Sequence, residues 1–194
     1  MRRIVIIDGH PDSADEHFIH AVVTAYEKGA VSAGHTVRRI VIGHLDFPLL
    51  RKSEDFESGT PPAVIRESQE AIAWANHLVV VYPLWLGSMP AALKAFFEQV
   101  LRPGFAFKEG KGRQLPRKLL TGRSARIIVT MGMPALFYRW YFRAHSVKSL
   151  ERNILAFCGV APIHATLFGM VDVVAAEKRA AWLAKIVALG RRAH

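Results

Sequence analysis

The chain of 194 residues has the length of one ordinary domain, and its 51% hydrophobic and 22% charged residues are typical of a globular rather than a disordered protein. It carries 26 lysines and arginines against 16 acidic residues, and its formal net charge of +10 at pH 7 favours anionic or phosphorylated ligands. The basic residues are scattered and are not interleaved with aromatic residues, so this composition disfavours a nucleic-acid-binding protein.

Membrane-spanning and disulfide-stabilised classes are also disfavoured. No apolar run approaches the length needed to cross a bilayer, so we expect a protein that is not integral to a membrane. The basic start of the chain is followed by an apolar stretch too short for a signal peptide, which indicates a first strand instead. The single cysteine, Cys158, excludes an internal disulfide, and its apolar surroundings predict a buried, inert thiol. These features favour a reducing cytoplasm.

The first third of the sequence predicts a strand, a helix and a second strand. Residues 3–8 form a short apolar strand, residues 9–13 a turn, and apolar residues from Phe18 to Tyr26 keep a helical period that ends near Gly34. Residues 36–42 predict the next strand, which gives a parallel pair with a right-handed crossover. The following residues 43–62 have no period and predict a long loop.

The middle of the sequence predicts a helix, a buried strand and another helix. Residues 63–76 predict the first helix, and the β-branched run at 78–81 predicts a strand that Tyr82-Pro83 ends, since proline has no amide donor for a sheet. Residues 84–88 predict a loop, and Leu93, Phe96, Phe97, Val100 and Leu101 recur at helical spacing. The following Pro103-Gly104 stops this helix.

The last part of the sequence supplies two more strands. Residues 108–123 predict an exposed excursion, residues 125–130 a fourth strand, and residues 136–142 an aromatic-rich segment before a helix at 146–158. Residues 163–168 predict a fifth strand and residues 175–191 a final amphipathic helix. Five strands alternating with helices predict one α/β domain spanning residues 1–194, with a parallel sheet covered by helices on both faces.

Ligands of such sheets gather at the carboxyl ends of the strands, where three predicted loops, 10–17, 83–88 and 130–138, would meet. The first loop precedes a helix, whose N-terminus favours a phosphate; Ser13 could cap that helix or donate to the phosphate, and His10 and His17 could add donors. In the second loop we expect the amides of Trp85, Leu86 and Gly87 to be unpaired. An ordinary strand-to-helix connection with a packed tryptophan is the alternative interpretation.

Other motifs are absent or uninformative. There is no G-x-G-x-x-G after the first strand and no P-loop lysine motif, which disfavours a Rossmann dehydrogenase. The histidines outside the loops show no metal-ligand spacing, so we expect no metal site and interpret them as surface or cap residues. They are His20, His35, His44, His77 and His164.

The segment PLWLGSMPAALKAFFEQVLRPGFAF, residues 83–107, resembles the signature of the flavodoxin-like NAD(P)H:quinone oxidoreductases. That family has a P-L-x-W loop that holds the flavin ring, a P-A-x-L-K helix and a P-G-F-A-[FY] turn. One departure is Leu86, which replaces the last aromatic residue of the loop. The resemblance implies a flavodoxin-like three-layer sandwich that binds FMN or FAD, uses NAD(P)H as a substrate and forms a homodimer.

The resemblance also implies roles for individual residues. Tyr138, with His145 as its partner, would be catalytic, and Phe105 and Phe107 would form a wall of the substrate pocket in the partner subunit. The residues implied to bind the flavin are His10, Ser13, His17, Phe18, Pro83, Leu84, Trp85, Leu86, Gly87, Thr130, Met131, Gly132 and Met133.

The sequence therefore predicts a flavin-dependent oxidoreductase that passes two electrons from NAD(P)H to a quinone or a similar flat acceptor with ping-pong kinetics. A flavin-binding ancillary subunit that contacts and regulates a potassium-efflux antiporter is the alternative, because relatives of this fold have that role. A one-electron carrier is a third possibility, although such carriers are usually acidic and this chain is basic.

Overall fold

The computed structural model describes residues 1–14, 16–110 and 114–194. Five parallel strands form the central sheet in the order β2-β1-β3-β6-β7. A short antiparallel pair, β4 and β5, lies outside it. The strands are β1 (Arg3–Asp8), β2 (Thr36–Val41), β3 (His77–Pro83), β4 (Phe107–Lys108), β5 (Arg117–Lys118), β6 (Ser124–Met131) and β7 (Ile163–Gly169).

Helices lie on both faces of this sheet, which confirms the predicted three-layer α/β sandwich. The α-helices are α1 (Phe18–Ser32), α2 (Ser53–Glu57), α3 (Ala63–Trp74), α4 (Ala91–Val100), α5 (Ala135–Trp140), α6 (His145–Lys148), α7 (Ala156–Cys158) and α8 (Ala176–Arg192). A 3-10 turn spans Ile42–His44, and a π-helical stretch, Ser149–Leu155, joins α6 to α7.

Alternating residues of β1 and β3 build two separate hydrophobic cores. Val5, Ile7 and Val80 face the core that includes α3 and α4, whereas Ile4 and Val79 face α1 and α8. The central strands are apolar on both faces because both faces are covered, which is the arrangement expected of a parallel sheet. This explains why the sequence shows continuous apolar runs there.

Two glycines bring α1 and α8 into close contact on their face of the sheet. A Cβ atom at Gly29 would lie 2.1 Å from the carbonyl oxygen of Val187, and one at Gly190 would lie 2.1 Å from that of Tyr26. Because real Cβ atoms do not approach backbone oxygens this closely, only glycine permits the observed crossing.

The structure corrects several predicted elements. Strand β3 continues through Pro83, which pairs with Thr130 at the last position of the ladder, where its missing amide donor costs least. The aromatic segment at 136–142 lies largely in a helix, α5, and the loop at 43–62 contains the short helix α2. The excursion at 108–123 contains β5, while its residues 111–113 lie outside the described residues.

The prediction that His77 is a surface or cap residue is wrong. Its imidazole is fully buried between Tyr26, whose hydroxyl lies 3.1 Å from Nε2, and Ser124, whose hydroxyl lies 2.8 Å from Nδ1. Burial, together with the positive charges of Arg2 and Arg126, lowers the pKa of His77 to about 3. This histidine is therefore a neutral structural residue at physiological pH.

Cys158 is buried, as predicted, and burial raises the pKa of its thiol to about 11. Among the described residues there is no helix with the length and apolar character required to span a membrane.

Candidate active site

A cavity of about 420 Å³ lies at the carboxyl edge of the sheet, where the loops after β1, β3, β6 and β7 meet. Parallel strands direct these loops to the same edge, so residues far apart in sequence line one cavity. The lining residues are His10, Asp12, His17, Phe18, Ile19, Pro83, Leu84, Trp85, Thr130, Met131, Gly132, Val171 and Asp172.

The loop after β1 presents two stacked imidazole rings to this cavity. The ring centroids of His10 and His17 lie 4.1 Å apart, and the edge of His10 meets Trp85 at 5.5 Å. His10 is buried, and its Nδ1 lies 2.7 Å from the carbonyl oxygen of Asp12. Burial lowers the pKa of His10, and the neighbouring His17 and His20 lower it further.

Asp12 is the acidic partner of these histidines at the cavity wall. Its Oδ2 lies 2.9 Å from Nε2 of His17, and its Oδ1 accepts a hydrogen bond from the amide of Ala14 at 3.0 Å. These contacts, led by the one from His17, lower the pKa of Asp12. One oxygen of the Asp12 carboxylate is therefore occupied by the His17 ring, while Asp12 remains part of the cavity lining.

Ser13 does not cap α1, so that part of the prediction is wrong. The helix begins four residues later than a Ser13 cap requires, and its N-cap is His17, with no hydrogen bond from a capping side chain. Ser13 is exposed and does not line the cavity. Phe18 and Ile19, in the first turn of α1, line the cavity directly.

Two residues that support this loop were missed in the sequence. His20, which was interpreted as a surface or cap residue, places Nδ1 2.7 Å from Oδ2 of Asp8 and Nε2 3.0 Å from the carbonyl oxygen of Asp12. Asp8 is buried and also accepts a hydrogen bond from the amide of His10 at 3.3 Å. The positions of these residues in the sequence could have indicated their role. Asp8 ends a buried strand, and His20 follows His17 by three residues on one helix face.

The loop after β3 is a tight turn rather than an open strand end. Trp85 and Ser88 exchange backbone hydrogen bonds of 2.8 and 2.9 Å, and Leu86 and Gly87 have φ values of 47° and 76°. Positive φ at both central positions is the signature of a type I′ turn. The amide of Trp85 is therefore paired, contrary to the prediction, and only the turn residues Leu86 and Gly87 remain as candidate donors.

The side chains of this turn divide between cavity and solvent. The indole of Trp85 is 48% exposed and lines the cavity together with Pro83 and Leu84. Leu86, in contrast, is fully exposed, and neither Leu86 nor Gly87 lines the cavity.

The loop after β6 is joined to the loop after β7. The carbonyl oxygens of Met131 and Met133 accept hydrogen bonds from the amides of Val171 and Met170, at 3.2 and 3.1 Å. This pairing brings Val171 and Asp172, which were not predicted, to the cavity beside Thr130, Met131 and Gly132. Met133 lies outside the lining.

The structure does not bring the predicted catalytic pair to the cavity. Tyr138 is buried in the core, where its hydroxyl accepts a hydrogen bond from the amide of Val147 at 3.4 Å, and burial raises its pKa. His145 is exposed at the start of α6.

Phe105 and Phe107 are half-buried, and Phe107 packs against Phe157 in a separate cavity of about 200 Å³.

The sequence of nearly the whole chain also resembles a known family and known proteins. The sequence profile described as the flavodoxin-like fold matches residues 2–189. The chain belongs to the flavodoxin-like fold family. Within this family it is similar, at 27% identity over 183 residues, to an uncharacterized NAD(P)H oxidoreductase of Haemophilus influenzae; the match covers 92% of this chain and 89% of that protein.

Other similar proteins have more specific names. The chain is 27% identical over 144 residues to FMN-dependent NADH:quinone oxidoreductase 2 of Pseudomonas fluorescens, covering 68% of this chain and 71% of that protein. The solved structure of the NAD(P)H:quinone oxidoreductase from Methanothermobacter marburgensis shares the fold with a TM-score of 0.82 at 24% identity, covering 97% and 95% of the two chains. A shorter match, 37% identical over 87 residues and 44% of each chain, is the glutathione-regulated potassium-efflux system ancillary protein KefG of Cronobacter sakazakii.

Proposed function

We propose that this protein is an FMN-dependent NAD(P)H oxidoreductase that reduces quinones or similar flat acceptors. The observation that carries the proposal is the cavity of about 420 Å³, which one indole and two stacked imidazoles line at the edge where parallel α/β sheets bind cofactors. The relatives from Haemophilus influenzae and Pseudomonas fluorescens are named as an NAD(P)H and an NADH oxidoreductase, which supports a reduced nicotinamide as the reductant, and the second name supports FMN.

The residues around the start of α1 fit a phosphate group. This helix has 15 residues, and among the described residues no side chain caps it, so its N-terminal dipole can act on a ligand at the wall that Phe18 and Ile19 form. His10 and His17 supply ring nitrogens beside it, and the contact with His17 occupies one oxygen of the Asp12 carboxylate. These residues would hold the single phosphate of FMN.

The other side of the cavity fits a flat aromatic ring. Trp85 presents an indole that is about half exposed, and Pro83 and Leu84 add apolar surface next to it. Covering this surface with a planar ligand removes apolar area from water, which stabilises the complex. The amides of Leu86 and Gly87 are the remaining donors of the turn and would orient the polar edge of the ring.

The cavity residues would hold FMN, and the bound flavin would supply the two-electron redox chemistry that links NAD(P)H to the acceptor. The balanced reaction converts NAD(P)H, one proton and a quinone into NAD(P)⁺ and a hydroquinone. The cavity opens to solvent beside Trp85, so we infer that the two substrates use the same entrance in turn, which gives ping-pong kinetics. The chain supplies binding and orientation, while the exposed entrance admits the external proton.

We also propose a homodimer in the cytoplasm. Phe105 and Phe107 keep partly exposed rings that do not line their own subunit's cavity, so they are free to form a wall of a partner's cavity. Light scattering of the pure protein tests this proposal. We expect the mass of two chains, and an active species with the mass of one chain would contradict it.

The experiment that tests the function begins with purified protein. Heat release of its flavin, identified by mass, should give FMN, and apoprotein should recover the flavin on addition of FMN. Initial rates with NADPH or NADH and a soluble quinone such as menadione should give parallel double-reciprocal lines. Protein that takes up no flavin would contradict the proposal, and so would flavin-loaded protein that oxidises neither nicotinamide. The partial similarity to KefG makes the second outcome informative, because loaded but inactive protein would favour the regulatory role.

A further inference from the structure

Helix α5 and the residues after it expose a group of large aromatic and aliphatic side chains. Trp140 is 83% exposed, Leu136 77% and Tyr141 64%. Single exposed apolar residues are ordinary, but several together on one short segment indicate a contact surface. We name the set Leu136, Arg139, Trp140, Tyr141, Arg143 and Lys148 the aromatic–basic patch.

The aromatic–basic patch is ordered by its own contacts and by the core beneath it. The rings of Phe137 and Tyr141 stack with centroids 5.0 Å apart and an angle of 7°, and Phe142 meets each of them edge-on. Tyr138 anchors the segment from below, since its side chain is buried and its carbonyl oxygen accepts a hydrogen bond from the amide of Ala144 at 3.2 Å. The ring of Tyr141 is therefore held in place by its aromatic neighbours.

Cations surround these rings. Arg139, Arg143 and Lys148 line, with Trp140 and Tyr141, an open cleft of about 520 Å³. In the part of the chain that the structure describes, none of the three cations forms an ion pair. Between Glu109 and Glu151 the sequence contains no acidic residue, so the segment that holds the three cations has no acidic residue of its own.

Charge decides which partner this surface fits. A second copy packed symmetrically on the same patch would bring six uncompensated cations together, which is unfavourable. An anionic lipid surface has the opposite charge, and its headgroup layer is the region where tryptophan and tyrosine rings are most stable. Arginine is suited to lipid phosphates because its guanidinium donates two parallel hydrogen bonds.

We propose that the aromatic–basic patch docks the protein on the surface of an anionic lipid bilayer. Trp140, Tyr141 and Leu136 would enter the headgroup region, while Arg139, Arg143 and Lys148 would contact lipid phosphates. This inference is independent of the proposed oxidoreductase function, because lipid binding is measured without flavin, nicotinamide or quinone.

Cosedimentation with vesicles tests the proposal on the full-length protein. We expect binding to vesicles of equimolar phosphatidylcholine and phosphatidylglycerol, weaker binding to phosphatidylcholine alone, and loss of binding at high salt. The double variant Arg139→Glu/Arg143→Glu should reduce the partition coefficient by about tenfold or more, since each cation near an anionic surface contributes on the order of 1 kcal/mol. Trp140→Ala/Tyr141→Ala should also weaken binding while the net charge stays the same.

A matched control separates the patch from the overall charge. Lys28→Glu/Lys52→Glu makes the same change in net charge at exposed positions outside the patch and should keep most of the vesicle binding. Circular dichroism checks that each variant is folded. Absence of binding to anionic vesicles overturns the proposal, and so does equal loss in both double charge variants. Light scattering tests the other possible role of the patch. If the protein binds no vesicles and the patch variants turn a dimer into a monomer, the patch is an interface between copies.

Discussion

Nδ1 of His20 lies 2.7 Å from Oδ2 of Asp8, next to the stacked rings of His10 and His17. Asp8 is almost fully buried at the end of β1, and its other oxygen accepts the amide of His10. His20 also reaches the carbonyl oxygen of Asp12 through Nε2. One side chain of α1 thus connects the strand to both ends of the turn that carries His10.

We expect His20→Ala to loosen this turn without unfolding the protein. The buried Asp8 carboxylate would lose its side-chain partner, which should lower the free energy of unfolding by about 1–2 kcal/mol. The dissociation constant for FMN should rise by about five- to tenfold, corresponding to about 1–1.4 kcal/mol. Flavin fluorescence quenching measures the affinity and urea unfolding the stability. The exposed His44→Ala is the control and should change neither; a His20→Ala protein with both values unaltered would contradict the supporting role.

Trp85→Ala should weaken FMN binding by about 1–3 kcal/mol, because it removes the largest aromatic surface of the cavity. Stability should change little, since the indole is about half exposed in the free protein. Trp140→Ala removes an equally large ring that does not line the cavity, so it should leave FMN affinity unchanged. Equal effects of the two substitutions on the affinity would argue against a ring site at Trp85.

Leu86→Asn should stabilise the protein by about 0.5–1 kcal/mol. Leu86 has φ 47° at the first central position of a type I′ turn, where asparagine before glycine is strongly preferred and leucine is strained. Its side chain is fully exposed, so the substitution sacrifices no packing. Leu115→Asn, at another highly exposed leucine without a positive φ, is the matched control and should be nearly neutral in urea unfolding. No gain in stability over this control would show that the turn is not strained.

His77 should make the protein sensitive to acid. In the unfolded chain this histidine takes up a proton near its ordinary pKa of 6.5, whereas in the fold it stays neutral down to about pH 3. Its contribution to stability is therefore complete above pH 6.5 and decreases as the pH falls toward 3. Between pH 7 and pH 4.5 we expect it to account for a loss of about 2–3 kcal/mol of unfolding free energy.

The variant His77→Gln tests this contribution. It should be less stable than the parent at pH 7, because the contacts to Tyr26 and Ser124 are disturbed, but its stability should fall less steeply with acid. Urea unfolding at a series of pH values measures the slope. His44→Gln, at an exposed position, should keep the parental slope; an unchanged slope in His77→Gln would assign the acid sensitivity to other groups.

Tyr138→Phe separates a packing role from the catalytic role implied by resemblance. In the structure the Tyr138 hydroxyl accepts a hydrogen bond from the amide of Val147 inside the core. We therefore expect Tyr138→Phe to lower the free energy of unfolding by about 1 kcal/mol and to leave the rate of flavin reduction by NADPH unaltered. Stopped-flow absorbance of the flavin measures that rate. A decrease of about ten- to a hundredfold, equal to about 1.4–2.7 kcal/mol, would instead support a donor role for Tyr138. His145→Ala under the same conditions tests the partner residue.

The local sequence pattern was sufficient to predict the sheet and the position of the cavity. The β-branched runs of β1, β3 and β6 are buried on both faces, and their parallel order places His10, Trp85 and Thr130 at one edge. Helix α5 could not be predicted in the same way. It lacks an amphipathic period because most of its aromatic residues face solvent, with only Tyr138 buried.

Polar residues were misjudged where their partners lie far away in sequence. The burial of His77 depends on Tyr26 and Ser124, which are 51 and 47 residues away. The pairing of the Trp85 amide depends on left-handed backbone at Leu86, a conformation that leucine rarely adopts and that no sequence rule would assign to it. Asp172 reaches the cavity only because backbone pairing joins its loop to Met131.

The glycine contacts between α1 and α8 determine which parts of the cavity can adapt to a ligand. Gly29 and Gly190 let the two helix backbones touch, so α1 cannot slide or tilt without driving a carbonyl oxygen into its neighbour. The cavity wall formed by His17, Phe18 and Ile19 is therefore held rigidly against α8. We expect any rearrangement on cofactor binding in the turn at Trp85 to Ser88. This turn projects into solvent with a fully exposed leucine at its tip. A rigid wall on α1 and a solvent-facing turn at Trp85 to Ser88 therefore both border the cavity, and we expect any change of its width on ligand binding to come from the turn.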